Sequence, residues 1–236
     1  MAKRIYISPS SQPDNAYAVG NTNEQEQCRK IAAALKDELD RCGFWSYAGL
    51  SGTMYTRAAE SDKFGVDLHL PIHTNAFDGK VAGLRIMVSA MGGEAEAIAK
   101  AIDKYLAPVT PGKSDGISAM PNLYEIKATD AVCVYLEVGF HDNKEEARWI
   151  IDNTELIAEM IARGLCEYYD VGYIPAGGTV RLFSDVDPAA WYAQSVAYCV
   201  ANGLMVGDPD GKFRPDDPIT RAEVAAVAER LHKMLA

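Results

Sequence analysis

The 236-residue chain lacks both an excess of positive charge and a long apolar run. Its 23 Lys and Arg residues are outnumbered by 33 Asp and Glu residues, which gives a formal net charge of −10. Nucleic acids and anionic membrane surfaces both attract basic proteins, so neither is an expected partner. No stretch approaches the roughly 18 apolar residues of a transmembrane helix. The start MAKRIYISPS lacks the apolar core of a signal peptide and predicts a first strand.

Cysteine is scarce and scattered. The five cysteines are Cys28, Cys42, Cys133, Cys166 and Cys199. Their odd number and the lack of a C-x-x-C pair argue against a disulfide framework and against a cysteine zinc site. We expect reduced, partly buried thiols. Hydrophobic residues make up 48% and charged residues 24% of the chain, which is typical of a folded globular protein rather than a disordered one.

Residues 1–170 alternate strand-like and helix-like patterns. The predicted strands are 3–8, 44–48, 66–73, 83–89, 123–126 and 131–138. The predicted helices are 23–42, 53–64, 93–106, 143–152 and 154–169. This alternation predicts an α/β domain in which helices flank a mainly parallel sheet.

The rest of the chain has a different pattern. Residues 171–182 contain Pro and a Gly pair without periodicity and are predicted to be a linker. Residues 183–236 are predicted to form a small all-α helix–loop–helix unit. Its first helix is expected to run from Asp187 to Asn202, and DPDG at 208–211 is predicted to be a turn. The second helix is expected to open with a capping box that starts at Thr220.

Three polar residues occur where a parallel sheet binds its ligands, beyond the carboxyl ends of the strands. Glu137 ends a very apolar strand, His73 ends another, and Glu24 lies on the apolar face at the start of the first helix. Alone, each has a plain structural interpretation: a hydrogen-bonded carboxylate, an internal histidine and a helix-start acid. Together they offer two zinc-type ligands and a general base. Glu125 is a second candidate for the base.

Two segments carry a family resemblance. LPIHTNA at 70–76 and YLEVGFHDN at 135–143 resemble the motifs of zinc-dependent N-acetylmuramoyl-L-alanine amidases. The opening strand and the glycines Gly43 and Gly83 also fit, so the resemblance covers about residues 3–170. It implies a zinc amidase/exopeptidase-like fold. It also implies a peptidoglycan substrate, which is cut between N-acetylmuramic acid and L-alanine.

The resemblance also assigns roles to individual residues. The family holds one Zn²⁺ by His, Glu and His and uses a catalytic Glu. By this resemblance His73 and Glu24 are zinc ligands, and Glu137 is the catalytic carboxylate. Asn75 and Arg57 match further family positions, where orienting the ligands is a plausible role. A surface ion pair is the alternative for Arg57.

One departure concerns the first zinc ligand. The first strand of the family ends in D-P-G-H-G, whereas this strand ends in SPSSQ at 8–12, with Ser11 in place of the histidine. Gln12 is a candidate third ligand through its amide oxygen, which is a neutral and weak donor. Ser11, His69 and water remain open as alternatives. His69 precedes His73 by four residues, about 13 Å along a strand, so we expect it to be an internal histidine. For His141, which follows the Glu137 motif, a role in the loop is favoured over a contact with the site.

Residues 183–231 closely resemble an S-layer homology repeat. The pattern F-x-D-V, G-L-x-x-G, D-G-x-F-x-P and I-T-R-A-E spans the whole unit. The resemblance implies binding to secondary cell-wall polysaccharide, with Arg221 either an anion contact or simply a first-turn residue. Trp191 and Phe213 are predicted to belong to the core of the unit. Such repeats usually occur about three in tandem, so a single copy predicts weak binding or a homo-oligomer, such as a trimer.

The sequence therefore favours a peptidoglycan amidase that is anchored to the bacterial cell wall. A catalytically inactive wall-binding protein on the same fold is the alternative, because the first-strand histidine is missing. A zinc peptidase that acts on the stem peptide is a third hypothesis. With no signal peptide in these residues, we expect either an endolysin released by lysis or an autolysin whose leader is absent.

Overall fold

The computed structural model describes residues 2–176, 183–187, 190–201, 204–208 and 211–235. Its strands form one sheet in the order β2-β1-β3-β6-β4-β5. The strands are β1 Arg4–Pro9, β2 Trp45–Ala48, β3 Leu68–Asn75, β4 Arg85–Val88, β5 Gly116–Ala119 and β6 Val132–Phe140. All neighbours pair in parallel except β4 and β6, which are antiparallel. The predicted mainly parallel α/β fold is confirmed.

Helices cover both faces of the sheet. They are α1 Glu24–Arg41, α2 Met54–Phe64, α3 Glu94–Leu106, α4 Tyr124–Ala128, α5 Lys144–Asp152 and α6 Thr154–Tyr168. The C-terminal unit contains the further helices α7 Ala193–Ala201 and α8 Arg221–Leu235. Helices α1, α3 and α6 pack together on one face, whereas α2 packs against α4. In β1, Ile5 and Ile7 join the main core with Ile31 of α1. Tyr6 points the other way and its ring contacts Phe64 of α2, so α2 and α4 cover the second face.

Alternate residues of β6 face opposite sides of the sheet, with core residues on one side and candidate site residues on the other. Val134, Leu136 and Val138 belong to the main core beneath α1, α3 and α6. The intervening Tyr135 and Glu137 face the second side, because successive side chains of a strand alternate between faces. His73 of β3 is the register partner of Glu137, so both side chains lie on the second side near the carboxyl end of the two strands.

One predicted strand is wrong. Residues 123–126 were expected to be extended, but Tyr124–Ala128 form the short helix α4, in which Glu125 and Ile126 are buried. A segment of only four residues has no distinguishing period, so packing against α2 and β6 decides its conformation. The strand of this region is β5, Gly116–Ala119, which the sequence analysis missed. Its composition, GISA, carries little β-propensity.

The C-terminal unit differs from prediction in two details. Helix α7 begins at Ala193, six residues after the expected start, because residues 190–192 form a turn instead. Trp191 was expected in the core but is 90% exposed, whereas Phe213 does pack, against Phe183 at 5.3 Å between ring centroids. The capping box before α8 is confirmed, since Glu223 N–H donates to Thr220 Oγ1 and Thr220 N–H donates to Glu223 Oε2.

Parts of the predicted linker and of the predicted turn cannot be compared with the structure. Residues 177–182 of the predicted linker and residues 209–210 of the predicted turn lie outside the described residues. All five cysteines are unpaired, and four of them are buried, as expected. Across the described ranges, no helix combines the length and the apolar character that a membrane crossing requires.

Candidate active site

A histidine and a glutamate meet at the carboxyl end of the sheet. Helix α1 begins at Glu24 after the N-cap Asn23, and this places the buried Glu24 carboxylate against β3. Its Oε1 lies 2.9 Å from Nδ1 of His73 and accepts from Thr74 N–H at 3.3 Å. Burial raises the pKa of Glu24, but the hydrogen bond and charge of His73 and the hydrogen bonds from Asn15 and Ser10 together outweigh it, so the net shift is downward. The structure thus brings together the two residues predicted to be zinc ligands.

The SPSSQ turn after β1 lies beside this pair. Gln12 is exposed, and its amide nitrogen is 3.4 Å from His73 Nδ1. Its amide oxygen accepts from Asn15 at 3.2 Å, and the same Asn15 amide donates to Glu24 Oε2 at 2.6 Å. A half-turn of the Gln12 amide exchanges its oxygen and nitrogen at nearly equal steric cost. Sequence reasoning missed Asn15, whose type and position carry no motif that would have revealed it.

Glu137 is a carboxylate without a partner. Its Oε2 is fully buried and has no hydrogen-bond partner among the described residues. Burial raises the pKa of Glu137 to about 7, against the opposing effect of His73. A carboxyl group that titrates near neutrality and keeps a free oxygen is suited to accept and return a proton. Burying such a group costs stability, which is typical of functional positions.

Glu125 lies on the other side of His73 from Glu24. Its Oε1 accepts a short hydrogen bond from Ser8 Oγ and lies 3.2 Å from Nε2 of His69. Its Oε2 lies 3.7 Å from Nε2 of His73. Burial raises the pKa of Glu125, but the neighbouring His69, His73 and Ser8 together outweigh it and bring the pKa to about 2. Burial lowers the pKa of His73, yet the neighbouring carboxylates of Glu125, Glu24 and Glu137 raise it to about 9.

The remaining predicted site residues lie further from this pair. Arg57 is buried in α2, where Nη1 donates to Gly49 O at 3.4 Å, while Nε and Nη2 have no hydrogen-bond partner among the described residues. The surface ion pair considered for Arg57 is therefore wrong. Asn75 accepts from Ala76 N–H at 2.9 Å, which shapes the end of β3. His141 lies in the turn after β6, where Nδ1 is 3.0 Å from both oxygens of Thr74.

His69 is an internal histidine, as expected. It is fully buried on β3, stacks on Tyr6 at 5.4 Å between ring centroids, and bonds to Glu125 rather than reaching Glu24. In the C-terminal unit, Arg221 is the exposed first residue of α8. Ser11, at the position of the family histidine, is partly exposed next to Gln12.

The donor set around His73 fits a zinc ion with few strong ligands. The described ranges contain no group of three His, Cys, Asp or Glu side chains that could hold a metal. Two strong donors, His73 and Glu24, nevertheless converge with the amide of Gln12 beside them. A catalytic zinc site needs three protein ligands and one open position. His73, Glu24 and Gln12 supply that number, with the amide as the weakest ligand.

A buried His–Glu pair and an unpartnered carboxylate, at the carboxyl end of a mainly parallel sheet, define a hydrolase-type site on an α/β fold. The chain belongs to the N-acetylmuramoyl-L-alanine amidase family, whose sequence profile matches residues 5–167. The profile of the S-layer homology domain matches residues 182–225. Both resemblances drawn from the sequence are confirmed.

Solved structures and curated relatives agree with these two families. The catalytic domain of CwlV, an N-acetylmuramoyl-L-alanine amidase from Bacillus (Paenibacillus) polymyxa var. colistinus, superposes with a TM-score of 0.64 at 22% identity, covering 72% of this chain and 99% of that one. The amidase AmiC2 of Nostoc punctiforme gives 0.63 at 18%, covering 71% and 97%. A cellulosome-anchoring protein of Acetivibrio thermocellus is 40% identical over 53 residues, or 22% of this chain and 12% of that protein. The chain spans 2%, 33% and 3% of the first curated relatives that it matches.

Proposed function

We propose that the chain is a peptidoglycan amidase that hydrolyses the amide between N-acetylmuramic acid and L-alanine at the bacterial cell wall. Family membership and the fold support the reaction class. The observation that carries the proposal is the meeting of His73, Glu24 and the unpartnered Glu137 on one side of β3 and β6. The proposal covers a phage endolysin as well as a host autolysin.

His73, Glu24 and the Gln12 amide would hold the Zn²⁺. When bound, zinc lowers the pKa of water and polarises the scissile carbonyl. The negative charge of the Glu24 carboxylate favours a cation here, and its hydrogen bond from Asn15 fixes its orientation. Because an amide is a weaker donor than the histidine that the family places on the first strand, we expect a lower zinc affinity than three strong ligands would give.

Glu137 acts as the general base and then as the general acid. Its free Oε2 accepts the proton of the attacking water and then returns it to the leaving amine nitrogen of L-alanine. The pKa of about 7 suits both steps, because neither the protonated nor the ionised form is strongly favoured near neutral pH. Tyr135 stacks on the His73 ring at 4.7 Å between ring centroids and so limits the motion of that ring.

The C-terminal unit is proposed to hold the enzyme on secondary cell-wall polysaccharide. The S-layer homology match supports this role. Arg221 is an exposed cation at the start of α8, and the 90% exposed Trp191 offers a flat apolar surface to a sugar ring. An Arg221→Ala variant should bind purified wall polysaccharide more weakly in a sedimentation assay, and unchanged binding would remove Arg221 from the site.

We also propose that the single repeat works in a homo-oligomer. Helix α8 exposes Val224 by 50% and Leu231 by 42%, and Ile219 just before it is 54% exposed. Association of copies would bury this apolar surface and would bring several repeats to one polysaccharide, so that avidity replaces tandem copies. Light scattering at micromolar concentration tests this, and a strict monomer would contradict it.

Mass spectrometry of muropeptides, incubated with the protein and zinc, tests the amidase. Stem peptides that begin with L-alanine are expected from the wild type and not from Glu137→Gln. A product cut within the stem peptide would instead indicate a peptidase. The one observation that favours an inactive wall-binding protein is that the described residues contain no group of three strong metal ligands. Intact muropeptides with both proteins would make that function the better one.

A further inference from the structure

Glu125 is a buried carboxylate that the proposed reaction does not use. It lies in α4 and is 2% exposed. Two side chains occupy its Oε1: Ser8 donates to it through Oγ, and His69 approaches it at 3.2 Å through Nε2. Its Oε2 therefore remains for a third group. His73 Nε2 lies 3.7 Å away, within ion-pair distance but too far for a hydrogen bond, and it has no hydrogen-bond partner among the described residues. The ladder of β1 and β3 supports this arrangement, because Tyr6 pairs with His69 and Ser8 with Pro71, so that Ser8 and His69 lie on the same face of the sheet.

His73 is consequently held from three directions. Nδ1 faces Glu24 at 2.9 Å, Nε2 faces Glu125 at 3.7 Å, and the ring lies on Tyr135 at 4.7 Å between centroids. A 180° ring flip would put Cδ2 in the place of Nδ1 and Cε1 in the place of Nε2. Each carboxylate would then face a ring carbon instead of a nitrogen, so the two carboxylates together disfavour the flip.

We propose that Glu125 is a positioning residue that keeps the proton of His73 on Nε2 and so presents the Nδ1 lone pair to the metal. This inference rests on the proposed zinc function. Carboxylates that accept from the outer N–H of a ligating histidine fix both its tautomer and its orientation. Glu125 is unsuited to be the general base, because Ser8 and His69 occupy one oxygen and the other faces the His73 ring. Glu137, by contrast, keeps an oxygen without a partner among the described residues.

The test is the zinc affinity of the full chain, measured by competition with a chromophoric chelator. Glu125→Gln is expected to weaken zinc binding by about 10- to 100-fold, the usual effect of losing such a partner. Glu125→Asp keeps the charge and should recover part of the loss. The matched control is Glu146→Gln. Glu146 is also fully buried, but it accepts from the backbone N–H groups of Gly83 and Phe140 and contacts no proposed ligand. The Glu146→Gln variant should therefore change the zinc affinity less than twofold.

A second measurement needs no metal. The imidazole nitrogen signals of His73 in the metal-free protein should shift in Glu125→Gln and stay in place in Glu146→Gln. Zinc affinity within twofold of wild type in Glu125→Gln would overturn the proposal. So would a loss of cleavage at unchanged zinc affinity, because that pattern belongs to a general base.

The two measurements also separate this inference from the proposed function. If the wild type takes up no zinc, the zinc function fails, and the nitrogen signals alone decide whether Glu125 orients His73. Shifted signals would support the positioning role, and unshifted signals would overturn it. If the wild type binds zinc and Glu125→Gln binds it equally well, the inference fails while the amidase proposal stands. If Glu125→Gln fails to fold, the zinc affinity and the His73 nitrogen signals are measured on Glu125→Asp instead.

Discussion

Glu137→Gln should stabilise the metal-free protein at alkaline pH while it lowers the activity by about a thousandfold. Burial raises the pKa of Glu137 from its ordinary 4.5 to about 7. The folded state therefore holds a proton that the unfolded state releases between these values, and stability falls as pH rises through this window. A shift of that size corresponds to about 3 kcal/mol once the group is fully ionised. Gln keeps the shape and carries no charge, so it avoids this cost.

Urea unfolding with a chelator present, at about pH 5 and about pH 8, measures the effect. The stability of the variant relative to wild type should rise by about 2.5 kcal/mol between the two pH values. Glu125→Gln is the matched control of opposite sign, because hydrogen bonds lower the pKa of Glu125 to about 2 despite its burial. It should destabilise the protein at both pH values. Hydrolysis by Glu137→Gln should fall by about a thousandfold, as for loss of a general base.

Two results would refute this reasoning. A stability difference that is the same at both pH values would mean that Glu137 does not ionise in a buried environment. A loss of stability at about pH 8 would mean that the ionised carboxylate has a favourable partner, which would contradict the unpartnered Oε2. Either result would also weaken the assignment of Glu137 as the proton carrier, since that role depends on a raised pKa.

The other predictions concern the ligands, the fold and the wall unit. The pKa of His73 is raised from 6.5 to about 9, so protonated His73 should contribute about 3 kcal/mol to metal-free stability below pH 6.5, and this contribution should be lost as pH rises through 9. His73→Ala should remove this pH dependence of the free energy of unfolding and should also abolish zinc binding. Ser11→His should tighten zinc binding, and an unchanged affinity in chelator competition would show that the turn does not face the metal. Gly83→Ala should destabilise the protein by about 2 kcal/mol or more in urea, because φ is +123° and a Cβ would meet a backbone oxygen at 2.0 Å, whereas Gly172→Ala, with open space, should not. Trp191→Ala should weaken polysaccharide sedimentation without lowering the melting temperature, because its side chain is exposed.

Long periodic segments and motif spacing determined most of what could be predicted. The apolar positions of α1 and the alternation in β3 and β6 give clear periods, so these elements follow from the sequence. Since β3 and β6 are parallel neighbours, His73 and Glu137 had to meet at one edge. The position of α4 could not be predicted, because the four residues 123–126 carry no period. The approach of Glu125 to His73 depends on the position of α4, so it could not be predicted from the sequence either.

The wall unit shows a second limit of sequence reasoning. Trp191 was expected inside because large apolar residues usually help to build a small core. Its 90% exposure shows that the turn before α7 directs it outward. Asn15 was missed for a different reason. A surface-loop amide has no pattern of its own, and its role appears only when the turn after β1 brings it within 2.6 Å of Glu24.

The two faces of the sheet differ in composition, since one is aliphatic and the other carries most of the candidate site residues. The face under α1, α3 and α6 is filled with aliphatic side chains such as Val134 and Leu136. On the other side, Glu24, Glu125 and two histidines are buried and Glu137 is partly buried, a composition that loses stability by desolvation unless each charge is paired. Glu24 and Glu125 are paired through His73, but Glu137 is not. A fold selected for stability alone would not keep that unpaired acid, so its retention beside a well-packed opposite face argues that the second face serves catalysis.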